Sequence, residues 1–250
     1  RNGRSVGAHC SGAAANSAGA IAVCYDDATA PNNHLQLSNV TVRDSVATTS
    51  SPLAAGGVLV EAHQSFAATD STFLNNTALG ASASDTSAGG AIMAAGISIM
   101  DMARVTFTNN RARSGGAVKA AGVMSCIDCV FTDNSSTGTG DNGGGALYID
   151  RNFNAQANIT GSVFTNNSAV EVGGAIWAAS YHATASATPG HIITAVNTRF
   201  VSNRATANSG GAIYIGQPMG ITFAPELLPI VQPTYLFENS LFYRNSAGTP

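Results

Sequence analysis

The sequence is poor in charge. Asp, Glu, Lys and Arg make up only 10% of its 250 residues, and Lys119 is the sole lysine. That is well under the quarter of charged residues common in globular domains. With a formal net charge of −3 and no basic run, the chain has almost nothing with which to neutralise phosphates, which argues against nucleic acid as a partner. Long apolar runs are missing too. The best candidate, Ala91 to Met100, stops at Asp101, short of the about 18 residues a membrane-spanning helix needs. Helical periodicity is absent almost everywhere. The chain opens with Arg1-Asn2-Gly3 and shows no signal peptide, so any targeting segment is expected outside it. A hydrophobic fraction of 44% nevertheless supplies enough apolar surface for a sizeable core and excludes wholesale disorder.

Cysteine is scarce as well, with four residues in two local pairs: Cys10 with Cys24, and Cys126 with Cys129. Cys126-Ile127-Asp128-Cys129 could be half of a zinc site, but no second pair stands at matching spacing. It leads into Val130-Phe131, a strand pattern, whereas a thioredoxin-like redox motif opens a helix. Structural roles are expected for all four, as buried thiols or disulfides. Five Asn-x-Ser/Thr sequons, at Asn39, Asn75, Asn134, Asn158 and Asn166, fit a secreted, glycosylated chain.

What the sequence has in plenty is repetition. A Gly-Gly-Ala-aliphatic box recurs at Gly89-Gly90-Ala91-Ile92, Gly115 to Val118, Gly144 to Leu147, Gly173 to Ile176 and Gly210 to Ile213, with weaker copies at Gly56-Gly57-Val58-Leu59 and Ala18-Gly19-Ala20-Ile21. Between these boxes lies Phe-x-x-Asn: Phe73 to Asn76, Phe107 to Asn110, Phe131 to Asn134, Phe164 to Asn167, Phe200 to Asn203 and Phe242 to Asn245. Val42 to Ser45 fills that slot in the first repeat. Counted between second glycines at 19, 57, 90, 116, 145, 174 and 211, the period runs from 26 to 38 residues. Two fixed boxes inside a variable period mean a constant cross-section decorated by loops of unequal length.

The segments around the boxes alternate as half-buried strands do. An aliphatic column follows the second glycine: Ile21, Leu59, Ile92, Val118, Leu147, Ile176 and Ile213. The next residue varies freely through Ala22, Val60, Met93, Lys119, Tyr148, Trp177 and Tyr214, and is expected to face outward. Short strands of this kind cannot bury their inner face alone, but stacked coils can, with phenylalanine on phenylalanine and strands paired in parallel. The recurring Asn is expected at a sharp corner, in left-handed backbone geometry, its amide bonded to the next in a ladder. The glycines suit a corner where a Cβ would clash. The expected fold is all-β: one parallel β-helix over residues 1–250, of about seven coils and near 34 Å long at about 4.8 Å per coil. Tyr148, Trp177 and Tyr214 would form an exposed aromatic stripe fit for a sugar ring or a partner protein.

The two boxes together resemble the polymorphic outer-membrane protein repeat, known from bacterial autotransporter passengers and from large extracellular proteins of some eukaryotic algae. The resemblance extends over nearly the whole chain. It implies a right-handed, pectin-lyase-like β-helix on a cell surface, of the kind found in adhesive or structural proteins.

β-Helices also include polysaccharide lyases, which need clustered carboxylates for calcium and an arginine base, and hydrolases, which need carboxylates facing one another across a cleft. Here the acids are scattered one or two per coil, and the only adjacent pair, Asp26-Asp27, falls in the degenerate first coil. His9, His34, His63, His182 and His191 occupy unrelated repeat positions. Asp133 to Gly145 combines glycines with oxygen donors but has neither the EF-hand nor the glycine-rich nonapeptide spacing for calcium. The expectation is a structural or adhesive extracellular module, with no enzymatic activity and no cofactor; the alternative is a glycan-binding or polysaccharide-cleaving domain. Partners would be other chains, further modules of a longer chain, or cell-surface glycans. The last Phe-x-x-Asn box stops where another glycine-box strand should follow, so a continuation of the chain, a partner protein or another copy is expected against the Pro250 end.

Overall fold

A computed structural model describes residues 17–24, 33–48, 53–78, 88–96, 98–139, 142–150, 155–179, 192–216 and 234–248. Among these residues every element is a β-strand or an isolated bridge, and no helix is long and apolar enough to cross a membrane. All strand pairs are parallel and join segments one repeat apart. Four sheets run seven strands deep, and a fifth, short one joins Ser17–Ala18, Ala54–Ala55 and Ala88–Gly89. This is a parallel β-solenoid. Fewer turns than these seven rungs are traced completely, because segments such as 180–191 and 217–233 lie outside the described residues.

Each coil visits the four deep sheets in one order. The glycine-box strand comes first, for example Val118–Ala120. A five-residue strand follows, Val123–Ile127, then the phenylalanine strand, Val130–Thr132, and a two-residue corner strand, Ser135–Ser136. Strict alternation appears in the burial of Val123–Ile127, where Met124 and Cys126 point inward and Val123 and Ile127 outward. Parallel pairing in register places identical inward residues on one another, so the core consists of columns running along the solenoid.

The phenylalanine column is the clearest of these. Phe73 pairs with Phe107, Phe107 with Phe131, Phe131 with Phe164 and Phe164 with Phe200. Their ring centroids lie 5.1, 4.7, 4.5 and 4.9 Å apart, with planes within 13° of parallel. All five are fully buried. Phe242 continues the stack at 4.8 Å but is 47% exposed; among the described residues no ring is stacked on its outer face, and Phe237 meets it edge-on at 5.9 Å. The expectation of a wholly buried column therefore fails at its last member.

One register differs from the sequence reading. Val58, not Leu59, pairs with both Ile21 and Ile92, so Val58 belongs to the inward column and Leu59 faces out. Gly56 takes the place of the second glycine, and Gly57 takes that of the alanine: Gly56 N–H donates to the Gly89 carbonyl and Gly57 N–H to that of Ala91. The two-glycine box is slid by one residue in this coil, and hydrogen bonding between coils, not the look of the box, decides the register. A glycine is required at the second position for a steric reason. A Cβ on Gly116 would fall onto the carbonyl oxygen of Gly145 in the next coil, and one on Gly145 onto that of Gly174.

Candidate functional site

The repeated chemistry of the chain is concentrated at two corners of each coil. At the corner after the phenylalanine strand, Asn76, Asn110, Asn134, Asn167 and Asn203 are all buried. Each amide is fully engaged. Asn134 Nδ2 donates to the Phe107 carbonyl of the preceding coil and to Asn167 Oδ1 of the following one, both at 3.0 Å. Its Oδ1 accepts from the backbone N–H and from Nδ2 of Asn110, also at 3.0 Å. The same pattern runs on to Asn245, which is half-buried at the end of the stack.

The left-handed backbone expected of these asparagines lies one residue earlier. Asp44, Asn75, Asn109, Asp133, Asn166, Ser202 and Arg244 have φ between 52° and 56°, and none of the ladder asparagines has a positive φ. The ladder residue is constrained by its side chain; the left-handed turn is made by its neighbour.

A second corner, between the five-residue and phenylalanine strands, escaped the sequence reading. It also turns on a left-handed residue: Asn39, Asp70, Arg104, Asp128, Gly161, Asn197 and Asn239. The residue after it is small and points inward. Where it carries a hydroxyl, it forms a second ladder. Ser71 Oγ donates to the Thr69 carbonyl at 2.7 Å and accepts from Val40 N–H at 3.1 Å. Ser162 Oγ donates to the Thr160 carbonyl at 3.0 Å and accepts from Cys129 N–H at 3.1 Å. The signal was present as a Ser, Thr or Cys two residues before Phe in most repeats, but valine in the first and third repeats breaks the pattern.

On its outer face the glycine-box sheet overturns another expectation. Tyr148 and Trp177 are 4% and 1% exposed and Tyr214 is half-buried, so no open aromatic stripe exists. The segments leading into the glycine boxes fold back over them, with Gly143 and Val172 forming a parallel bridge and Gly144 N–H donating to the Val172 carbonyl. A Cβ on Gly143 would stand 3.1 Å from the Trp177 ring. Beneath this cover Tyr148 and Trp177 pack edge to face at 4.6 Å. Lys119, 1% exposed, sits over the Tyr148 ring with Nζ 4.3 Å from its centroid and 3.0 Å from Asp150 Oδ2. The arrangement is a small outer core closed around an ion pair.

Four segments, 70–95, 104–121, 128–150 and 161–179, match the profile of the Chlamydia polymorphic membrane protein repeat. The chain carries this repeat. Each matched segment opens on a left-handed corner residue, Asp70, Arg104, Asp128 or Gly161. It then runs through the phenylalanine strand and the asparagine ladder to the glycine-box strand. In this chain each matched segment is thus a unit of two corners and two boxes, and the five-residue strand lies between successive units. No curated protein and no solved structure matches the chain with significance.

Within the repeats, Cys126 and Cys129 are free thiols, both fully buried, rather than a disulfide. Cys126 faces the core between Met102 and Ile159. Burial, together with the hydrogen bond it donates to Cys129, pushes its thiol well above the ordinary cysteine range. Cys24 is disulfide-bonded; Cys10 lies outside the described residues.

Of the sequon asparagines, Asn39, Asn158 and Asn166 are exposed, while Asn134 is buried in the ladder. Asn75 is half-buried and engaged, donating to Asp44 Oδ1 at 3.1 Å and accepting from Asn109 Nδ2 at 2.8 Å. Carboxylates serve the corners: Asp44, Asp70, Asp128 and Asp133 are all left-handed residues. Arg104 grips Asp70 with two nitrogens at 2.6 and 2.8 Å, which holds that exposed carboxyl below its ordinary value. Among the described residues no three His, Cys, Asp or Glu side chains gather to hold a metal ion. His34 hydrogen-bonds Ser65 Oγ on the outer surface and His63 lies in a turn; His9, His182, His191, Asp26 and Asp27 lie outside the described residues.

Proposed function

We propose that the chain is a non-enzymatic structural module of a cell-surface protein, a stiff extracellular spacer that presents its surface loops for adhesion. One observation carries this reading: the polar groups repeated in nearly every coil are spent on the scaffold. The asparagine amides and the corner hydroxyls hydrogen-bond between coils, and four of the acids turn corners. Each satisfied buried hydrogen bond favours the stacked state, and an unsatisfied one there costs about 1–3 kcal/mol. Such a rod resists bending, while the segments between its boxes vary in length. The repeat it shares with a membrane-protein family supports a surface location.

The test is direct. Beads coated with the folded segment should adhere to cultured cells or extracellular matrix more than beads coated with the heat-unfolded segment. Incubation with pectin, alginate or chondroitin should release no new reducing ends or unsaturated products. Equal adhesion of both bead types, or measurable polysaccharide cleavage, would sink the proposal.

A further inference from the structure

We propose that two neighbouring coils hold a buried binding site for one soft monovalent metal ion, copper(I), with Cys126 and Cys129 as its thiol ligands and the thioether of Met102 as the third. The chain has four cysteines and five methionines. Two of those cysteines and three of those methionines meet in one place. Met100 and Met102 point inward from one five-residue strand, and Met124 and Cys126 from the next. In register, Met100 lies beside Met124 and Met102 beside Cys126. Adjacent strands stand about 4.8 Å apart, which makes such side chains immediate neighbours. Cys129 follows at the second corner, in the slot that Ser71 and Ser162 fill in other coils. Its Sγ lies 3.8 Å from the Met102 carbonyl and 3.6 Å from that of Ile127, and it receives the hydrogen bond of the Cys126 thiol. The repeat does not require sulfur here: the slot of Met102 and Cys126 holds Ala68, Ile159 and Ala195 in other coils.

The donors select the ion. All five sulfur-bearing side chains are 2% exposed or less. Among the described residues no His, Asp or Glu joins the two cysteines in a group of three. Thiol and thioether sulfur are soft donors and favour copper(I) over calcium, magnesium or manganese. Structural zinc takes four ligands from cysteine, histidine and carboxylate, and only two of that kind are present. Two thiols in hydrogen-bond contact can share one ion through metal–sulfur bonds of about 2.3 Å. Met102 has three rotatable bonds with which to bring its sulfur to the third side.

Charge matches as well. The hydrogen bonds from Cys126 and from Val105 N–H hold the Cys129 thiol below its ordinary value against the effect of burial, while burial pushes Cys126 well above its own. The pair therefore gives up one proton readily and the second with difficulty. On binding, Cys129 releases its proton to solvent and becomes the thiolate ligand. The ion keeps its oxidation state, so no electron is exchanged. One thiolate with one monovalent cation leaves the apolar core neutral, whereas a divalent ion would leave a net charge buried there, which is costly. The Cys-x-x-Cys spacing is thus half of a site, and its other half is a methionine that coil stacking alone brings alongside.

Copper loading tests this. The chain is unfolded in urea without reductant, which keeps the Cys24 disulfide closed, and is refolded without oxygen beside the acetonitrile complex of copper(I). Refolding gives the ion access to a site that is shut in the folded state. After desalting against bicinchoninate, the chain should retain one copper and melt at a higher temperature than the metal-free chain. Two variants use residues the repeat already accepts in these slots: Cys129→Ser, as at Ser71 and Ser162, and Cys126→Ala, as at Ala68 and Ala195. Both should fold and lose the metal. Met102→Leu should lower the bicinchoninate concentration that strips the copper roughly tenfold or more. Zinc offered in the same way should wash out. The proposal is overturned if the wild-type chain retains no copper, or if the Cys126→Ala, Cys129→Ser double variant retains as much. It is overturned equally by zinc held as firmly as copper, or by copper that Met102→Leu leaves undisturbed. A refolded product lighter by two hydrogens also overturns it, since the thiols have then closed into a disulfide instead.

Discussion

A single oxygen joins the coils of Asn76 and Asn110. Asn110 Oδ1 accepts both the backbone N–H and the Nδ2 of Asn76, each at 3.0 Å, while Asn110 Nδ2 reaches back to the Phe73 carbonyl at the same distance. An amide accepts on one atom and donates from another, which lets one side chain reach both groups. Aspartate is isosteric but cannot donate when ionised, and serine is too short.

Asn134→Ala should destabilise the protein by about 2–4 kcal/mol, because it strands the Asn110 N–H and the Phe107 carbonyl in the interior. Asn134→Asp should be as damaging at neutral pH and recover as the pH falls. Burial beside a carbonyl raises the folded pKa of the introduced acid above its unfolded value, so its penalty shrinks as protonation sets in. Urea denaturation at pH 7 and pH 4.5 checks both variants.

Phe164→Ala should cost about 3–5 kcal/mol, since its ring is stacked on both faces and fully buried. Phe242→Ala should cost about 1 kcal/mol or less, because half of that ring is already in water. Similar losses at the two positions would contradict the column as described.

Gly116→Ala should prevent native stacking, because the added carbon meets backbone that cannot move without shifting a whole coil. Ser202→Gly acts in the opposite direction. Ser202 holds φ at 54°, a conformation that strains an ordinary side chain, and glycine there should raise stability by about 0.5–1 kcal/mol. Thermal melts of the two single variants distinguish the corner requirement from the stacking requirement.

Asp150→Ala should destabilise by about 3–5 kcal/mol by leaving Lys119 buried without its carboxylate. The double variant Lys119→Met with Asp150→Leu should recover most of that loss. Added salt should matter little, since the pair is screened by protein rather than by ions. A double-mutant cycle in low and high salt measures all three effects.

Cys126 and Cys129 should resist alkylation at pH 8 in the folded protein and react readily in denaturant. Both are shut off from solvent, and burial raises the Cys126 thiol well above its usual range. Mass mapping of the modified cysteines decides it; rapid labelling under native conditions would show that this part of the core opens.

Residue spacing by itself determined the fold class and the ladders. Parallel stacking in register sets like upon like, so Phe73 to Phe200 and Asn76 to Asn203 must recur at fixed places for the columns to form, and the recurrence is visible without coordinates. The register of one coil and the cover over the outer face carry no such periodic mark. Whether Val58 or Leu59 faces the core depends on which glycine carbonyl its coil meets across the gap. Whether Tyr148 and Trp177 face water depends on the path of the segments that bridge at Gly143 and Val172, which lie on no repeated frame. A strand pattern says which side of a sheet a residue occupies. Only the tertiary structure decides whether that side is covered, because covering is done by segments distant in sequence whose course the pattern does not encode.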